Sequence, residues 1–189
     1  MNSKFLNKLN QIQDEEKKNE FINDDILRYS PNKISFWLCI LAIVCNVAMF
    51  LIIYTEKNCT PNWQLGIDLL INVLFMLASF LLSEKTKAYK ENAGKASFVI
   101  AAIQVLRIFW IPLFYYLKNV DYVNAVKLAE EAGESLAYTG IIGLNIGQFI
   151  ACIILLTVSA LSLVGAGLIC NMKAKRLKNH IAELEKGRD

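Results

Sequence analysis

The chain has one histidine, His180, and three prolines among its 189 residues. One imidazole beside cysteines that lie in apolar sequence cannot complete a zinc site. There is no Cys-x-x-Cys, which argues against a thiol oxidoreductase. A phosphate-cradling glycine loop, His-Glu-x-x-His, Gly-x-Ser-x-Gly and an acidic cluster suited to a metal with phosphate are all missing. No nucleophile can be paired with a base, so neither enzymatic activity, cofactor nor metal is expected. The net charge of +3 is small, and no long basic run or aromatic-plus-basic pattern accompanies it. Nucleic acid is therefore not an expected partner.

Charge is missing most of all from four long stretches. The residues are 55% hydrophobic, and the 20% that are charged fall almost entirely into five segments alternating with those stretches. That alternation is the pattern of a multi-pass membrane protein, with the lipid bilayer as its first partner. Of the five cysteines, Cys39, Cys45, Cys152 and Cys170 lie in apolar sequence and Cys59 in a loop. They predict small buried residues rather than a disulfide framework.

Three spans, at about 34–54, 63–82 and 96–117, each match the roughly 20 residues a helix needs to cross a bilayer. Thr60-Pro61 reads as an N-cap and first helical position, so the first loop is short and the first two spans form an antiparallel hairpin. Asn58-Cys59-Thr60 has the form of a glycosylation sequon, but it hugs the membrane and precedes proline, so it is discounted. The fourth apolar stretch, Ile141 to Cys170, would be about 45 Å long as one helix against a core of roughly 30 Å. Counting back from Lys173 places this span at about 149–170 and leaves Ile141 to Gln148 at or above the outer surface. Gly140, Gly143 and Gly147 predict a break there. Just before it, over about 120–137, Tyr122, Val126, Ala129, Ala132 and Leu136 fall opposite Lys127, Glu130, Glu131 and Glu134. That spacing predicts an amphipathic helix lying on the outer surface.

Lysine and arginine set the orientation. Six lie in the N-terminal segment, four in the loop at 83–95 and six in the tail, against three in the other two loops. By the positive-inside rule both termini and the middle loop are cytoplasmic. Residues 1–33 form a polar cytoplasmic segment, too long before the first apolar run for a cleaved leader, and are expected to be mature sequence. Phe5, Leu9 and Ile12, then Phe21, Ile22, Ile26 and Leu27, predict one or two short helices on the membrane surface. Ser30-Pro31-Asn32 breaks the chain before the first span. The tail, 171–189, carries Ala174, Leu177, Ile181 and Leu184 at heptad-like spacing. A short helix packed on the N-terminal segment or the membrane is preferred there to a coiled coil with a second copy. The expected fold is thus all-α: an integral membrane four-helix bundle over 34–170, N-in and C-in, with short terminal helices and an outer amphipathic helix. The abundance of Lys, Asn and Ile points to a bacterial cytoplasmic membrane.

Lys33-x-Ser35-Phe36 before the first span echoes Lys95-x-Ser97-Phe98 before the third. Gly66-x-Asp68 and Gly143-x-Asn145 echo one another in a different register, so chance is the preferred reading of the pair over a duplicated hairpin.

Two formal charges lie inside the spans, Asp68 and Arg107. Each costs about 2.5–3.5 kcal/mol or more at mid-membrane, so such residues face the bundle interior and are paired. Asp68 sits about 8 Å and Arg107 about 15 Å below the outer ends of their helices, a gap an outward-reaching arginine can close. Asn46, Asn72 and Gln104 gather at similar depth, with Asn145 and Gln148 near the top of the fourth span. Pro112 frees a backbone carbonyl close by. The preferred reading of this cluster is an interhelical clasp between Asp68 and Arg107 with amides as further hydrogen-bonding glue. The second is the floor of an outward-facing cavity for an ion or small polar solute. Gly143, Gly147 and Ala151, then Ser162, Gly165 and Ala166, let another helix approach the fourth span closely, and internal packing is preferred to dimerisation. The functional expectation is an accessory or interaction subunit of a membrane assembly, partnered by another membrane protein or a second copy. The alternative is a small transporter or channel using the Asp68 and Arg107 site.

Overall fold

The computed structural model describes residues 3–54, 63–90, 92–135 and 141–186. Among the described residues there are five helices: α1 (Ser3–Tyr29), α2 (Lys33–Tyr54), α3 (Trp63–Lys87), α4 (Ala93–Ala132) and α5 (Ile146–Lys186). The last four are each long and apolar enough to cross a membrane. This is an all-α chain with the architecture of a multi-pass membrane protein. Thr60-Pro61, Cys59, the Asn58 sequon, Leu136 and Gly140 lie outside the described residues.

Three helices are longer than the sequence pattern predicts. No breaker separates Leu117 from Ala132, so α4 runs on for 40 residues, roughly 60 Å. The outer amphipathic segment is therefore not a separate surface helix but the final turns of α4. It stops at Gly133, whose φ of +70° suits glycine. Gly133 N–H donates to Glu130 O and Glu134 N–H to Ala129 O, the paired bonds of a Schellman ending. Likewise α5 carries on through the positively charged tail without interruption for 41 residues. At the N-terminus a single 27-residue helix replaces the expected short ones. It packs on the tail of α5, where Phe21 meets His180 edge-on at 4.7 Å between centroids. Asp25 Oδ1 lies 3.7 Å from the imidazole Nε2.

The excess length of the fourth apolar stretch is folded inward. Residues 141–145 leave the helix, with Gly143 at φ +80° pressed against the backbone of α4 at Tyr115 and Asn119. Leu144 N–H donates to Tyr115 O at 3.0 Å, and Asn119 Nδ2 donates to Ile142 O at 3.2 Å. These bonds satisfy backbone groups that a non-helical segment would otherwise bury unpaired. Ile141 and Leu144 are buried with Met49, Ile53, Ile111, Tyr115, Cys152 and Leu156 in one apolar layer.

Helix α5 is the axis of the packing, flanked by α2 and α4, while α3 leans on α2 and has a thinner seam with α4. Small residues explain the closest approach. A Cβ on Gly94 would come within 2.9 Å of Gly167 O, and one on Gly167 within 3.0 Å of Gly94 O. Backbone thus meets backbone between α4 and α5. Gly165, by contrast, faces only the end of Leu38 at 3.5 Å. The two echoed serines do equivalent work here: Ser35 Oγ donates to Ala166 O at 3.1 Å, and Ser97 Oγ donates to Leu163 O. Cys39, Cys45, Cys152 and Cys170 are buried free thiols.

Candidate functional site: a polar layer between two apolar layers

Four helices each deliver polar side chains to one level of the interior. That level lies between the apolar layer already described and a second one made by Cys39, Ala42, Phe75, Leu82, Ala101, Leu163 and Ala166. Spacing along each helix places it there: Asn46 follows Ala42 by one turn, Gln104 and Arg107 follow Ala101, and Ser159 falls between Leu156 and Leu163. Each polar residue replaces an apolar one on the stripe that faces inward.

Asn46 on α2 is the hub. Its Nδ2 donates to Ala42 O at 2.7 Å and to Ser159 Oγ at 2.9 Å. Ser159 Oγ in turn donates to Ala42 O at 3.2 Å. Asn46 Oδ1 accepts from Gln104 Nε2 at 3.1 Å and from Arg107 Nη1 at 2.9 Å. The amide thereby uses both protons and both lone pairs. Arg107 Nη1 also donates to Gln104 Oε1 at 3.1 Å, and Nη2 donates to Asn72 Oδ1 at 2.6 Å. The guanidinium lies 4.8 Å from the centroid of the Phe75 ring. A planar fork suits this task, because it reaches acceptors on α2, α3 and α4 at once, which an ammonium could not do with the same geometry.

Asp68 and Arg107 do not close an ion pair within 4 Å. Asp68 Oδ2 instead accepts from Tyr115 OH at 3.2 Å, one turn nearer the N-terminal end of α3 than Asn72. The clasp is therefore two rungs between α3 and α4, Asp68 with Tyr115 and Asn72 with Arg107, rather than one salt bridge. Asp68 remains close enough to offset the arginine's charge without touching it. Asp68, Asn72 and Arg107 are only 3%, 1% and 5% exposed, so any unmade bond is costly. Two are unmade: Arg107 Nε and Asn72 Nδ2 are buried donors without a partner.

Asn145 and Gln148 belong elsewhere. Asn145 Oδ1 accepts from Gln148 N–H and Gln148 Oε1 accepts from Asn145 N–H, both at 2.9 Å. This is a reciprocal capping box that starts α5 and satisfies two of its free N–H groups. Sequence reading grouped the pair with the buried cluster because both lie in the outer half. Their spacing of three residues beside the start of an apolar helix was the signal for a cap. Pro112 is buried inside α4, five residues after Arg107.

Two members of the layer escaped the sequence reading. Ser159 is one serine among several on α5, although it shares a stripe with Cys152 and Leu156. Tyr115 lies two turns from Arg107 on the same face of α4, and that helical spacing is the signal that places it in the layer. Farther down, Asn32 is fully buried where three helices meet. Its N–H donates to Lys87 O at 3.0 Å, its Nδ2 donates to Ser35 Oγ at 2.7 Å, and its Oδ1 accepts from Lys173 Nζ at 3.4 Å. Among the described residues no three His, Cys, Asp or Glu side chains are grouped to hold a metal ion.

The thin seam between α3 and α4 leaves a groove of about 320 Å³ facing outward from the bundle. Ile71, Ile103, Leu106, Trp110 and Ile111 wall it, and among the described residues Arg107 is its one polar lining residue. Leu106 and Trp110 are each 69% exposed. Comparisons with family models, with curated proteins and with solved structures find no match. Amides, a hydroxyl and a guanidinium at this depth can lock helices together or hold an acceptor oxygen.

Proposed function

We propose that the chain is a non-catalytic subunit of a membrane assembly in a bacterial cytoplasmic membrane, with both termini and the loop at 83–95 on the cytoplasmic side. Its partner, another membrane protein or a second copy, seats a helix on the α3 and α4 face. The observation that carries this reading is the apolar groove in the thin seam between α3 and α4, walled by the exposed Leu106 and Trp110 and ending on Arg107. A neighbouring helix would fill the seam and cover Leu106 and Trp110, and close packing of this kind drives helix association in lipid. The remaining polar groups of the layer hold the platform in shape.

A photo-crosslinking amino acid at Leu106 or Trp110, expressed in the native membrane, tests it. The expected product is one discrete protein adduct from these positions and none from Leu161, which is exposed on α5. Adducts with lipid alone at every position would defeat the proposal.

A second reading, a small transporter or channel for an ion or polar solute, rests on the two unpartnered donors beside Asp68. Replacing Asp68 and Arg107 together with apolar residues separates the two readings. A subunit whose Asp68 and Arg107 are structural stays stably folded, whereas a transport site loses flux in reconstituted vesicles.

A further inference from the structure

A second groove, of about 580 Å³, opens at the end of the molecule where α1 lies on the tail of α5. Its volume is within the range of roughly 300–1,000 Å³ typical of small-molecule sites. Its chemistry changes along its length. Ile34 in the first turn of α2, with Ile169 and Met172 on α5, makes an apolar floor that Ile26 and Leu27 of α1 flank. Ile34 and Met172 are 56% and 61% exposed. These three floor residues sit where the apolar stretches of α2 and α5 end, at the edge of the hydrocarbon. One turn beyond, Lys173 and Arg176 line the same groove. They are three residues apart and so share one face of α5.

We propose that this groove binds an anionic glycerophospholipid, with an acyl chain over Ile34, Ile169 and Met172 and the phosphodiester between Lys173 and Arg176. The depth fits, because cations just beyond the end of an apolar helix sit at headgroup level. The charge fits as well. Two cations against one lining acid, Asp24, leave a positive balance that favours an anionic headgroup over a zwitterionic one. Lys173 is already positioned by its contact with Asn32 Oδ1, and Arg176 supplies a planar fork suited to phosphate oxygens. Because α1 forms one wall, the bound lipid would also bridge α1 to α5. The site is separate from the polar layer, so it stands or falls independently of the proposed partner surface.

Native mass spectrometry of the full chain in a neutral detergent, given equimolar phosphatidylglycerol and phosphatidylcholine, tests it. One phosphatidylglycerol should be retained in preference. The double change Lys173→Gln with Arg176→Gln should weaken its retention about thirtyfold, from the typical contribution of two basic residues at an anionic surface. Lys175→Gln with Lys186→Gln removes the same charge from exposed positions of the same helix and should leave retention unchanged. Ile34→Trp, which fills the apolar floor but keeps both cations, should likewise weaken retention. Excess glycerol 1-phosphate should not displace the lipid. Equal retention of the two lipids, equal loss in both double variants, insensitivity to Ile34→Trp, or displacement by glycerol 1-phosphate would each overturn the assignment.

Discussion

Arg107 donates to Asn72 across the seam between α3 and α4 at 2.6 Å, while Asp68, the acid expected to pair with it, is held by Tyr115 instead. The cation is thus fixed by neutral amides and only neighboured by its counter-charge. This distinguishes bonds that hold α3 in place from electrostatic compensation at longer range.

Double-mutant cycles can read that distinction. Arg107 with Asn72 should show a coupling of about 0.6–1.7 kcal/mol, the range of interhelical hydrogen bonds in membranes. Asp68 with Tyr115 should fall in the same range, and Asp68 with Arg107 clearly below it. Unfolding in mixed detergent micelles supplies the energies. A coupling between Asp68 and Arg107 as large as the other two would restore the direct ion pair.

Close approach of α4 and α5 depends on Gly94 and Gly167. Gly167→Val should destabilise by about 1–3 kcal/mol, because the helices must separate and lose the Ser97 bond to Leu163 O. Gly165→Ala meets only the flexible end of Leu38 and should cost little. Thermal unfolding of the two variants, compared side by side, checks the contrast.

Gly143 is the hinge that turns residues 141–145 inward. Gly143→Ala should cost at least about 2 kcal/mol, from positive φ and from collision with the Tyr115 and Asn119 backbone. Gly66→Ala has open space around its Cβ and should stabilise α3 by about 0.5–1 kcal/mol. Opposite signs in one stability assay are the expected result.

The Asn145 and Gln148 box predicts a local effect. Asn145→Ala should cost about 0.5–2 kcal/mol at the start of α5. Hydrogen exchange should rise over 145–149 and stay unchanged around Asn46 and Gln104. Increased exchange in the polar layer would return this pair to the buried cluster.

Docking of α1 rests on His180, Phe21 and Asp25. An edge-on aromatic contact contributes about 0.5–1.5 kcal/mol, so His180→Ala should make α1 open roughly two- to tenfold more often. Exchange of the α1 amides over 15–29 measures it, with α2 to α5 unaffected.

Much of this was legible in the linear chain. Hydropathy is a sum over neighbours in sequence, so four long apolar stretches sufficed to predict four helices able to cross a membrane. The cost of an unpaired charge was enough to single out Asp68 and Arg107. Depth along a helix also follows from residue count, which put Asn46, Asn72 and Gln104 at about the right level.

Azimuth does not follow from count, and contacts depend on azimuth. Only the packed structure decided that Arg107 meets Asn46, Gln104 and Asn72, that Tyr115 takes Asp68, and that Asn145 and Gln148 cap a helix instead. Continuity of α4 was equally undecided, because an amphipathic segment after Leu117 fits a surface helix and an extended span alike. It took Gly133 to end that helix and Gly143 to turn the chain back. Sequence alone determined which residues lipid would refuse, since that is a local property. Their partners were settled by helix rotation and close backbone approach at Gly94 and Gly167, which are properties of the whole packing.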